Sequence, residues 1–203
     1  MGVKERRERE EQTRLDVILG AAEKVFSEQG YYHTRMDDIA EAAELAKGTL
    51  YYYFKSKDEI FFHILEREIG RIIAEIKRRL PEQATLLQAV EAELNIFLEY
   101  CDRNRGFLKI FLPCSSRFIE FEDKDIARRA ARSFQAHGEF IRKTFQAKIA
   151  REHLNLSIDQ LIHFQKTFQI GIGHRIMEGR TDEARDAVKF YLNIMKRITK
   201  EKS

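Results

Sequence analysis

Leu15, Ile18, Leu19, Ala22 and Phe26 recur at three- and four-residue intervals. They form one apolar stripe, which predicts a helix with Thr13 as its N-terminal signal and Gly30 as its stop. Upstream, the mixed charges of residues 4 to 14 are expected to extend this helix into solvent or to fray, not to form a basic arm. Thr34 followed by Asp37 has the spacing of a capping box, so a short second helix should start near Arg35 with Ile39 and Ala43 inward. A third helix should run from about Lys47 to Tyr53. A fourth should start at Ser56, whose hydroxyl can cap amides while Asp58 and Glu59 suit the positive end of the helix dipole. That fourth helix carries Phe61, Ile64, Leu65, Ile69, Ile72, Ile73 and Ile76 and ends at Pro81. At 1.5 Å per residue it reaches about 35 Å, more than a three-helix head needs, and it is expected to link two modules. Further helices are expected from about Leu86 to Arg103, Asp125 to His153, Ser157 to Gly179 and Asp182 to Lys200. A short irregular aromatic segment, GFLKIFLPCSSRFIEFED, should interrupt them. With only two prolines in 203 residues, the expectation is an all-α chain. Its N-terminal three-helix unit spans 1–55 and a larger helical domain spans 56–203, with the linking helix at 57–80.

The third predicted helix contains the stretch KGTLYYYFKSK. With Leu50 facing the core, Phe54 lies about 40° away and joins it, while Gly48 and Tyr52 point nearly opposite, flanked by Thr49 and Tyr51. The outward face is therefore small, hydroxylated and aromatic. Rings at successive positions cannot all enter one core, and such a face suits a DNA groove. Gly48 permits close approach, Lys47 can donate to guanine edges or phosphate, and Thr49 offers a hydroxyl and a methyl. Tyrosines can donate to phosphates and pack on thymine methyls. Lys57 would add charge beside amides already suited to an anion. Two short helices about a tight turn, the second with this face, describe a helix-turn-helix that reads the major groove of double-stranded DNA.

Composition adds less. Net charge is +3 and pI about 8.8, which alone would not mark a nucleic-acid binder. Residues 1 to 57 carry ten basic and eleven acidic side chains, yet from Leu45 to Lys57 there are three lysines and no acid. Cys101 and Cys114, without a CxxC pair, suit a reducing compartment. No apolar run approaches the roughly 20 residues of a bilayer span. The N-terminus lacks a signal-peptide centre, so a cytoplasmic protein with no membrane partner is expected.

The stretch VILGAAEKVFSEQGYYHTRMDDIAEAAELAKGTLYYYFKSKDEIFFHIL resembles the N-terminal domain of TetR-family transcriptional regulators, over roughly residues 13 to 65. The resemblance implies Thr34 as a cap and phosphate contact at the start of the second helix. It places Lys47, Gly48, Thr49 and Tyr51 at the base-reading end and Tyr52, Tyr53 and Lys57 on the DNA backbone. Two positions depart from the family pattern: Glu44 stands where the turn commonly has Gly, and Ala46 where a Ser cap is usual.

The resemblance also implies a homodimer whose C-terminal domain binds a small-molecule effector, with the fourth helix moving on binding. Repression of a palindromic operator and release by the effector is the commoner family outcome. Compatible parts exist. Ala187, Val188, Tyr191, Leu192, Met195 and Ile198 stripe the last helix, and Leu161, Phe164, Phe168 and Ile172 the one before, where Gly171 and Gly173 permit close approach. The interface set is Phe168, Gly171, Ile172, Val188, Tyr191, Leu192 and Met195. For a lipophilic or aromatic effector the lining candidates are Phe97, Tyr100, Phe107, Phe111, Phe134, His137 and Phe168. No HExxH, CxxC, GxSxG, P-loop or paired Glu-x-x-His motif is present, so neither an enzyme nor a cofactor or metal site is expected. The alternative is a helical ligand-binding or interaction protein whose head, bearing Glu44, binds DNA weakly.

Overall fold

The computed structural model describes residues 2–115, 121 and 123–200, without the side chains of Val3, Phe111, Pro113, Cys114, Ser115, Phe134, His137 and Lys200. Among the described residues there are nine helices and no strand. They are α1 (Val3–Gln29), α2 (Met36–Ala42), α3 (Lys47–Tyr53), α4 (Lys57–Arg79), α5 (Leu86–Arg103), α6 (Arg105–Ser115), α7 (Lys124–Arg151), α8 (Ile158–Met177) and α9 (Thr181–Lys200). No helix among them is long and apolar enough to cross a membrane.

The mixed-charge N-terminus continues α1, because Lys4–Glu8 and Arg6–Glu10 pair one turn apart. Gly30 ends the helix at φ +81°, a conformation that side chains resist. The segment expected to be irregular is helical over Arg105–Ser115. Pro113 falls in its last turn, where one backbone donor is lost. Phe107, Leu108, Ile110 and Leu112 are buried, and that burial favours the helical arrangement.

Two compact units divide the chain. One comprises Met1–Arg67 with Lys109–Ala130, the other Glu68–Leu108 with Ala131–Ser203. The divisions fall inside α4, α6 and α7. In the first unit α1 packs on α2 and α2 on α3. The core comprises Ile18, Ala22, Phe26, Ile39, Leu50 and Phe61, where each large side chain contributes about 1.5–3 kcal/mol of hydrophobic stabilisation. Phe61 meets the rings of Phe26, Tyr31 and Phe121 edge-on at 5.4, 4.9 and 5.8 Å, and Phe62 packs with Ile126 and Ala130.

In the second unit α5, α8 and α9 pack on one another, burying Leu94, Phe97, Leu161, Ile172, Val188 and Tyr191. Thr85 and Gln88 cap α5 reciprocally: the Gln88 amide donates to the Thr85 hydroxyl at 3.2 Å, and the Thr85 amide to Gln88 Oε1 at 2.9 Å. The loop before α5 is clamped by the end of α7. Lys148 Nζ donates to the Ala84 carbonyl at 2.8 Å, and Glu152 accepts from the Leu86 amide at 2.7 Å.

Candidate nucleic-acid interface

The second helix starts one residue later than its expected cap. Arg35 is the N-cap, and Asp38, not Asp37, reaches back to accept from its amide at 2.8 Å. Thr34 is only 1% exposed and donates its hydroxyl to the Gly30 carbonyl at 2.8 Å. Thr34 therefore closes the α1–α2 loop internally and does not cap α2 with its side chain, which corrects the cap expected from spacing alone. Asp37, freed from capping, accepts from Lys47 Nζ at 2.6 Å and holds the Lys47 ammonium above its ordinary pKa, by hydrogen bonding first and charge second. The pair joins α2 to the start of α3. Both partners are exposed, so solvent screens the pair and it orients the two helices more than it stabilises them.

The turn between these helices forms a Schellman closure, with the Glu44 amide on the Glu41 carbonyl at 3.0 Å and the Leu45 amide on the Ala40 carbonyl at 2.9 Å. Such a closure needs a left-handed residue, and Glu44 supplies it at φ +55°. A side chain in that region costs about 1–2 kcal/mol. Glu44→Gly is therefore expected to raise stability by about 1 kcal/mol, read as a shifted denaturant midpoint at unchanged slope; an unshifted midpoint would show that the turn carries no strain. Ala46 caps α3 without any side-chain bond.

Within α3, Leu50 is fully buried and Phe54 buried beside it, whereas Tyr52 is 71% and Tyr51 46% exposed. Lys47 and Gly48 are exposed, and Thr49 and Tyr53 half-buried. A Cβ built on Gly48 meets nothing within 4 Å. The rings of Tyr52 and Tyr53 meet edge-on at 5.2 Å, so the exposed Tyr52 ring has a neighbour that supports it.

Lys57 is placed differently from expectation. Its ammonium donates to the carbonyls of Tyr31, Tyr32 and Thr34 at 3.1, 3.3 and 3.3 Å and sits 4.7 Å from the centre of the Tyr31 ring. It ties the 31–34 loop to α4, so an alanine there would release the loop as well as remove a charge. Sequence reasoning missed the neighbouring pair: the Tyr31 hydroxyl donates to buried Asp58, whose second oxygen accepts from the Asp123 amide at 3.1 Å. Asp58 was legible only as a charge at a helix start, and nothing in the spacing indicated its partners.

The remaining expected residues, Phe111 apart, lie in the second unit. Phe97 and Phe107 are buried and Tyr100 half-buried, with the Tyr100 and Phe107 rings 6.0 Å apart and the Tyr100 hydroxyl donating to buried Glu68. Phe168 lies instead against Tyr191, at 4.8 Å on the α8–α9 layer. The side chains of Phe111, Phe134 and His137 lie outside the described residues. An open cleft of about 550 Å³ at the α7–α8 corner is lined by Ile149, His153 and Leu154 among others, and by none of the expected ligand residues.

Of the expected interface residues, Ile172, Val188, Tyr191 and Met195 are buried within the protomer, while Phe168, Gly171 and Leu192 are half-buried. The last helix carries two apolar faces, and the stripe read on it took in Ile198 of the outer face but neither Phe190 nor Ile194. Val188, Tyr191 and Met195 face the core, and Phe190, Ile194 and Ile198 are 69%, 40% and 44% exposed. Adjacent positions differ by 100°, so one apolar run serves both faces.

Residues 18–64, from within α1 through α2 and α3 into α4, match the model of bacterial regulatory proteins of the tetR family. This segment is similar to the N-terminal segment of that family. The HTH-type transcriptional activator FasR of Mycolicibacterium smegmatis is 30% identical over 95 residues, covering 46% of this chain and 43% of that protein. The fatty acid metabolism regulator protein of Bacillus subtilis is 35% identical over 68 residues, covering 34% and 35%. The chain thus spans less than half the length of either relative. Likeness of fold extends further than the sequence match. The crystal structure of the regulator FadR from Bacillus subtilis in complex with stearoyl-CoA superposes with a TM-score of 0.74 at 15% identity, covering 87% of this chain and 96% of that one.

Proposed function

We propose that this chain is a ligand-responsive transcriptional regulator of the tetR family that binds a palindromic operator as a homodimer. One observation carries the reading: α3 buries Leu50 and Phe54 and turns Lys47, Gly48, Tyr51 and Tyr52 to solvent. In a major groove the Lys47 and Gly48 end approaches base edges, and the tyrosine hydroxyls donate to phosphates. Thr49 and Tyr53 support from the flanks, and Thr34 and Lys57 act indirectly by holding the loop beside α3. The exposed residues Phe164, Phe190, Ile194 and Ile198 favour a second copy as the partner of α8 and α9.

The effector is proposed to be lipophilic, with an acyl chain as the first candidate. The apolar set Phe97, Tyr100 and Phe107 supports this, as do the names of the Bacillus subtilis relatives. Because α4 is continuous from Lys57 to Arg79, a ligand that favours one arrangement of its lower half biases the reading head by its differential affinity. Repression with release on ligand binding is the proposed mode.

Selection of random duplexes by the purified protein tests the function. Enrichment of a two-fold palindrome, released by a long-chain acyl-CoA, is expected. Recovery of no preferred sequence at low salt would favour the alternative of a helical ligand-binding protein with a weakened head, for which the carboxylate of Glu44 in the turn is the specific observation.

A further inference from the structure

Glu93 occupies a core position of α5 and is 4% exposed. Its carboxylate accepts from Gln165 Nε2 and, at 2.5 Å, from Gln169 Nε2, both on α8. Gln165 Oε1 in turn lies 3.5 Å from the Tyr191 hydroxyl of α9, which donates to it. The Tyr191 ring stacks 4.8 Å from Phe168 and 5.4 Å from Phe164, and Phe164 is 54% exposed. One hydrogen-bonded chain therefore runs from a buried acid through an amide and a phenol to the base of the exposed apolar face.

The groups facing Glu93 are the neutral amides Gln165 and Gln169 from α8 and, through Gln165, Tyr191 from α9. Among the described residues no cation pairs with it. A buried carboxylate without a cation is costly, whereas its neutral acid is tolerated. Yet every donor in the chain points toward Glu93, the polarity an ionised carboxylate requires. A neutral acid can itself donate, which favours turning the Gln165 amide so that its oxygen faces Glu93 and its NH2 faces Tyr191. The charge on Glu93 thus sets the direction of the chain and the seating of Tyr191 beneath Phe164 and Phe168.

We propose that Glu93 is a proton-operated switch at the α5–α8–α9 junction, with the neutral acid holding the α8–α9 face in its self-associating form and ionisation loosening it. The self-association part rests on the dimer reading above; the switch itself does not.

Burial pushes the Glu93 carboxyl up to about 7, against the hydrogen bonds of Gln165 and Gln169, which lower it. The same burial, with the Glu93 charge, pushes Tyr191 up to about 12, so the phenol keeps its proton throughout. With the folded value raised above that of the unfolded chain, the folded state keeps a proton that the unfolded state has lost. Stability from this site is full below the unfolded value and is lost as pH rises through about 7.

The test compares the wild-type chain with Glu93→Gln, an uncharged isostere, at about pH 6 and about pH 8, by sedimentation equilibrium and by amide hydrogen exchange of α8 and α9. The wild type is expected to self-associate about tenfold more weakly at the higher pH, a factor of about three for each of the two Glu93 sites of a dimer, and to lose protection in both helices. Glu93→Gln should resemble the low-pH wild type at both values. Identical pH dependence of exchange in the two proteins would overturn the switch. If both are monomers at both pH values, the dimer reading fails, while exchange still decides the switch. Should the variant not fold, carboxyl ¹³C spectra of the Glu-labelled wild type decide alone: one glutamate is expected to titrate near neutrality, and its absence would overturn the proposal.

Discussion

Replacing Phe190 and Ile194 together by Glu is expected to give a folded monomer that binds a palindromic operator about 100-fold more weakly than the wild type. Both side chains are exposed on α9, Phe190 at 69%, so neither substitution buries a charge or opens a cavity in the protomer. In a two-fold dimer each glutamate would sit in a dry apolar interface close to its copy, where desolvation and like charge both oppose association. Separating two reading heads removes the gain from simultaneous engagement, typically 10²–10⁴ in affinity, of which the lower end is taken here. Sedimentation velocity and operator titration at matched concentration check this. A dimer of unchanged affinity would place the interface elsewhere. Met195 makes the useful contrast: it is 3% exposed, so a charge there is expected to unfold the second unit before it reports on association.

Asp58→Ala should destabilise the chain by about 3 kcal/mol, the combined loss of two hydrogen bonds to a carboxylate and of a satisfied partner for the buried Tyr31 hydroxyl. Asp58 sits in the first turn of α4, where its charge also complements the helix dipole. Alanine would leave the Tyr31 hydroxyl and the Asp123 amide without this acceptor. Tyr31→Phe, which removes the donor and its need together, should cost less. Thermal unfolding distinguishes the two variants. If both change stability by less than about 0.5 kcal/mol, the ordinary range for surface changes, the Asp58 junction is not structural.

The helix-turn-helix was legible because its signals are local. The spacing from Leu50 to Phe54 fixes which face of α3 is buried, and Gly30 marks the end of α1 by a backbone conformation only glycine adopts cheaply. Lys57 was legible as a charge but not as a ligand of three carbonyls, since those partners lie 23 to 26 positions away in sequence. α6 was read as irregular, and its helix emerges only with the burial of Phe107, Leu108, Ile110 and Leu112. On α9 the outer apolar face was missed at Phe190 and Ile194, because the core stripe through Val188, Tyr191 and Met195 accounts for the helix without them. Glu93 left a faint signal: it falls between Ala89 and Phe97 at four-residue spacing, on the buried face of α5. A lone acid in an apolar stripe indicates burial, while its partners on α8 and α9 emerge only from packing.

Anisotropy titration of the selected operator duplex with wild type and Tyr52→Ala tests the claim that α3 presents its outward face to DNA. Tyr52 is the most exposed ring of the run, and its loss removes a hydroxyl and an aromatic surface without touching the core. The expected result is an unchanged thermal transition with affinity lowered about tenfold, equivalent to about 1.4 kcal/mol. Equal affinity of the two proteins for the operator would contradict the assignment of this face to DNA.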